Sequence, residues 1–164
     1  MEELECDPPR SNQDAGPTTE APSPVQMVSF AAWRDGDPHS DRPAERRYVT
    51  LAELLVRLGS YGLGLRWKAR IFDEPPHPAF AQVLEASAGT GIPTLELLAL
   101  KAPHLQAVDA DFDGYAGGEL SLTLREFDSS SWDVRTADTW VLSEIRRHYP
   151  DARPITPEEW DGTN

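Results

Sequence analysis

Two apolar-alternating runs joined by a glycine pair constrain the fold more than any other feature of this chain. Ala107 to Tyr115 and Glu119 to Phe127 flank Ala116-Gly117-Gly118, and in the second run Leu120, Leu122 and Leu124 alternate with Ser121, Thr123 and Arg125. A side-chain period of two with a tight glycine turn predicts a β-hairpin, hence an antiparallel pair. A third strand is expected at Trp132–Arg135. Leu63, Leu65, Trp67, Ala69 and Ile71 alternate with Gly64, Arg66, Lys68 and Arg70, which predicts a strand with one apolar and one basic face. A solvated strand face paired with acids on a neighbour explains the basic side most simply.

Helical spacing frames these strands. Thr50-Leu-Ala-Glu53 has the form of a capping box, and Leu51, Leu54, Leu55 and Leu58 follow on one stripe before Gly59. Short helices are expected at 79–87, near Leu95–Leu100 and at about 138–149, where Val141, Ile145 and Tyr149 share a face and Pro150 closes it. The chain reads as α+β: a small, mostly antiparallel sheet packed with about three to four helices. Residues 48–164 form the single expected domain. Residues 1–47 are expected to be a disordered acidic, proline-rich tail, apart from an apolar island at 27–33 that suits an edge strand or a short binding motif.

Charge sorts the partners. The net charge is −13. Residues 105–164 carry thirteen acids against five bases, whereas 48–104 carry five of each. That sign opposes phosphate neutralisation, so nucleic acid is not the expected partner. It favours encounter with a basic protein. Cys6 is the one cysteine, so no internal disulfide is possible, and the acidic start lacks the pattern of a signal peptide. With no long apolar run, neither a membrane span nor membrane association is expected, and the expected compartment is the cytoplasm.

Three constellations are candidates for function. Asp109-Ala-Asp111-Phe-Asp113-Gly114 spaces three carboxylates as in the opening of an EF-hand loop, a possible Ca2+ site. The position of that loop's closing glutamate holds Leu120, with Glu119 one place early. The same three aspartates with Glu119 form the expected docking face for a basic partner. Histidines 39, 77, 104 and 148 show no metal-ligand spacing, and Ser129-Ser130-Ser131 lacks a nucleophile-elbow context, so no catalytic residue is assigned.

Val83-Leu84-Glu85-Ala86-Ser87-Ala88-Gly89-Thr90-Gly91 resembles the first motif of class I S-adenosylmethionine-dependent methyltransferases. The resemblance covers residues 82–111, with Ser87 where that family usually carries its first glycine. It implies a strand that ends at Glu85, a turn through Gly89 and Gly91 close to the ligand, and Asp109 as the acid that holds the ribose. The leading expectation remains a non-catalytic acidic binding module, an inhibitor or immunity/antitoxin-type partner of a basic protein, with no cofactor. An S-adenosylmethionine-binding or methyltransferase-like protein, and a divalent-metal-binding domain, are the alternatives.

Overall fold

A computed structural model describes residues 23–35, 46–72, 78–100 and 106–162. Its centre is a seven-stranded antiparallel sheet. Strands β1 (Gln26–Ala31), β4 (Arg66–Ile71), β5 (Ile92–Pro93), β6 (Ala110–Ala116), β7 (Glu119–Phe127), β8 (Ser131–Thr136) and β9 (Arg153–Pro154) lie in the order β5-β4-β6-β7-β8-β1-β9. Two further short strands, β2 (Trp33–Arg34) and β3 (Arg47–Tyr48), pair separately. The expected hairpin is β6–β7, with Gly117 and Gly118 both at positive φ in its turn.

The apolar island is a strand. In β1, Val28 and Phe30 point into the core, and the strand pairs with β8 on one side and β9 on the other. The folded region therefore reaches back to Gln26 rather than starting at Tyr48. Local composition hid this, because β1 needs its two partners from the far end of the chain to satisfy its backbone. The rest of the expected tail, residues 1–22 and 36–45, lies outside the described residues.

Six helices occur among the described residues, more than the three or four expected. They are α1 (Leu51–Arg57), α2 (Gly59–Leu63), α3 (Pro78–Ser87), α4 (Thr94–Leu100), α5 (Thr139–His148) and α6 (Pro157–Trp160). The surplus is α2 and α6, each about one turn long and too short to show a periodic stripe. Thr50 caps α1 by accepting from the Glu53 N–H, but the Glu53 carboxylate turns away to Arg47, so only half of the expected box forms. A complete capping box instead starts α6, where Thr156 and Glu159 exchange both bonds.

One face of the sheet carries the core. Register places Ala69, Phe112, Leu124, Val134 and Val28 in one cross-strand row, and Ile71, Ala110, Glu126, Trp132 and Phe30 in the next. Helices α1, α3, α4 and α5 cover these rows with Leu51, Leu54, Phe80, Val83, Leu97, Val141 and Ile145 in a single buried cluster. A buried polar link forms at Thr94, whose hydroxyl accepts from Trp67 Nε1 at 2.8 Å and donates to the Gly62 carbonyl. Gly91 is required beside it: its φ is +82°, and a Cβ there would stand 2.9 Å from the Trp67 carbonyl oxygen.

Candidate functional site

The opposite face of the sheet is polar, and its rows are charge ladders. One runs Arg70, Asp111, Arg125, Asp133, Ser29 and Arg153 across six strands. Opposite charges at directly facing positions attract: Asp111 stands between Arg70 and Arg125, and Asp133 between Arg125 and Ser29. Asp111, only 2% exposed, receives Arg125 Nε at 2.7 Å and Arg70 Nη2 at 2.9 Å. Asp113 accepts from the Thr123 hydroxyl at 2.8 Å and pairs with Arg70 at 3.1 Å. Arg125 also donates to the Trp160 carbonyl and lies 4.1 Å from the centre of its ring, which pins α6 against this face. Burial pushes the Asp133 carboxyl up, a shift that its Ser29 hydrogen bond and the nearby Arg125 only partly offset.

These contacts reassign the three aspartates. Asp111 lies within this ladder and Asp113 in the neighbouring row between Lys68 and Thr123; both are buried, so they offer no exposed docking charge. Their oxygens are taken by arginines and a threonine, and no group of metal-ligating side chains stands together among the described residues. The basic face of β4 is as expected: Arg66, Lys68 and Arg70 stay exposed, and Arg70 pairs with Asp111 and Asp113 on the neighbouring strand. Glu119 stands exposed across from Ala116 at the hairpin, at the far end of β6 and β7 from Asp109.

The residues of the methyltransferase-like segment do not converge. Glu85 lies within α3, so a helix and not a strand leads into the Gly89–Gly91 turn. Gly91 abuts Trp67 near the start of β4, whereas Asp109 contacts Phe72 just beyond its end. Five residues of extended strand separate those points by about 16 Å. Gly89 instead borders an open cleft of about 400 Å3 with Arg66, Lys68 and Tyr115. Arg66 is committed there to the carbonyls of Thr90 and Gly91, and Lys68 lies over the Tyr115 ring at 5.3 Å.

Asp109 belongs to a different constellation, at the end of the sheet where β4 stops, β6 begins and β7 turns into β8. Its Oδ1 accepts from the Asp128 N–H at 2.7 Å, and its carbonyl accepts from Phe72 N–H at 3.0 Å. Asp128 and Ser129 both have positive φ (46° and 49°), the only non-glycine residues among those described to do so. The turn is held from three sides. Ser129 N–H donates to the Val108 carbonyl at 3.0 Å, Ser130 N–H to Phe127 at 2.9 Å, and Trp33 Nε1 to the Ser129 carbonyl at 2.8 Å. A left-handed pair without glycine is strained and persists only where neighbours over-determine it.

Around this turn three large apolar side chains face solvent: Phe72 (63% exposed), Phe127 (48%) and Val108 (43%). A groove of about 260 Å3 runs between Phe72, Phe127 and Trp160, with Asp109 and Asp161 also lining it and exposed Asp128 beside it. Arg125 lines it too, but its charge is balanced by Asp111. Sequence reasoning missed Phe72 and Phe127 because each occupies the last position of a strand-like run. The available signal was parity, since Phe72 directly follows Ile71 and must break the alternation of β4.

No family model matches the chain, and no solved structure matches it. It is similar to a demethylmenaquinone methyltransferase of Thermus thermophilus, 33% identical over 91 residues, 56% of this chain. The chain spans 40% of that relative's length. Among the described residues, no helix is long and apolar enough to cross a membrane.

Proposed function

We propose that the protein is a non-catalytic binding module, of the inhibitor or immunity/antitoxin type, that receives a basic protein on the sheet end built around Asp109. The observation that carries this reading is the exposed pair Phe72 and Phe127 on one groove lined also by Asp109 and Asp161, with Val108 and Asp128 exposed at the adjoining turn. Contiguous exposed apolar surface with a charged rim is the usual composition of a protein-binding site. Aromatic anchors supply affinity, and the carboxylates select basic partners and speed encounter. The strained turn presents Phe127 and Asp128 on a rigid frame, so little ordering entropy opposes binding.

The test compares the full chain with a Phe72→Ser/Phe127→Ser double variant in co-purification from the native lysate at low and high salt. A basic protein retained by the parent chain, weakened by salt and lost with the double variant, is the expected outcome. Each aromatic is worth about tenfold in affinity, typical of an interface anchor. A basic partner held equally by both chains sinks the assignment to this patch.

The partial similarity to a methyltransferase favours a second reading, an S-adenosylmethionine-binding protein. Calorimetric titration with S-adenosylmethionine decides it. A saturable heat weakened by Glu85→Gln or Asp109→Asn supports this reading, and no heat at millimolar ligand removes it.

A further inference from the structure

A second groove, of about 330 Å3, opens at the other end of the sheet, between α2 and the ends of β7 and β8. It is distant from the aromatic patch: Leu120 and Phe127 are seven strand residues apart, about 23 Å. The β6–β7 register shifts here, Gly114 facing Leu122 and Tyr115 facing Leu120, so Ser121 has no cross-strand partner on β6. Such a bulge re-aims side chains and commonly borders a site.

The walls are apolar. Tyr61 lies 5.8 Å from the ring of Trp140, itself 46% exposed, and Val25 and Leu120 are 53% and 50% exposed. Almost every polar group at the groove is already satisfied. The Thr136 hydroxyl donates to the Ser121 carbonyl at 2.8 Å and accepts from Asp138 N–H at 3.0 Å. Asp138 Oδ1 caps α5 by accepting from the Trp140 and Val141 N–H groups. The Thr123 hydroxyl is given to Asp113. Arg135 is the exception. It is exposed, faces Met27 and Thr123 across the strands, and makes no ion pair or side-chain hydrogen bond among the described residues.

We propose that this groove binds a small amphipathic carboxylate, with its apolar body between Tyr61, Val25 and Leu120 and its carboxylate on Arg135. A concave, largely apolar site with one convergent polar group is the ordinary form of a small-molecule site. A guanidinium matches a carboxylate in a planar, two-point geometry. The carboxylate at Asp138 is held by the α5 amides and repels a second anion, so the site selects one head group placed at Arg135. This inference is independent of the aromatic patch.

The test uses phenylbutyrate as the anionic probe and phenylbutanol as its neutral counterpart, titrated calorimetrically into the full chain, with tryptophan emission as a second readout. Arg135→Gln changes an exposed side chain and is expected to fold, which its thermal melt verifies. Saturable binding of the acid is expected. Arg135→Gln should weaken it at least tenfold, about 1.4 kcal/mol. The alcohol should bind both chains alike and more weakly than the acid binds the parent. Leu120→Ser should weaken acid and alcohol together. No binding of the acid into the millimolar range overturns the proposal. So does equal affinity of the acid for the parent and Arg135→Gln, or an alcohol that binds the parent as well as the acid does.

Discussion

Asp133 shows how much one residue's meaning depends on its place in the ladder. From sequence it is one of thirteen acids in the last sixty residues. In the fold it is 7% exposed, its Oδ1 has no hydrogen-bond partner, and burial raises its pKa above the ordinary value of 3.8. A raised carboxyl means that the native state holds its proton more tightly than the unfolded chain does. Stability from this group is therefore full below 3.8 and is lost as the pH rises through the raised native value. Asp133→Asn should melt at a higher temperature than the parent chain at neutral pH, and the gap should close as the pH falls below 3.8. Melting curves across that range are the check, and a gap that widens in acid would refute the assignment. Glu53 behaves oppositely. Burial alone would raise it, but the hydrogen bond and charge of Arg47 outweigh burial and hold it low, so its contribution is present above 4.5 and fades in acid.

At the level of elements, the longer central strands and longer helices were legible, while the two-residue strands β2, β3, β5 and β9 and the connections were not. Strand β4, the β6–β7 hairpin, β8 and α5 follow from alternation or a helical stripe, which local sequence encodes directly. Trp160 is buried on the polar face over Arg125, because α6 falls beside the ladder and not beside the helices. The β7–β8 turn is the clearest case of tertiary override. Asp128 and Ser129 take positive φ without glycine because Asp109, Val108 and Trp33 hold them there. Ser129→Gly should relieve the left-handed strain and raise stability by about 1 kcal/mol, read as a higher denaturant midpoint at unchanged slope. If the turn is stiff for binding, the same change should leave the core intact while weakening partner affinity.

For the whole molecule, a net charge of −13 says little about where the charge acts. Buried Asp111 and Asp113 are neutralised by arginines, while exposed Arg66, Lys68, Arg70, Arg135 and Arg153 leave the open face with an exposed cationic rim. At the proposed docking end the acids are Asp109, Asp128 and Asp161. Salt should therefore weaken the proposed complex mainly through its association rate, since rim charges act before contact, while loss of Phe72 and Phe127 should speed dissociation. Surface-based kinetics on the complex would separate the two. By itself the sequence determined an antiparallel α+β chain and the elements whose period is local. It also supplied the pairing of a basic strand face with acidic neighbours. Only the tertiary structure decided that residues 26–31 join the sheet, that two of the three aspartates are interior, that Glu85 and Asp109 stay apart, and that Phe72 and Phe127 line one groove. Each of these depends on contacts between distant segments, and such contacts leave no period in the sequence.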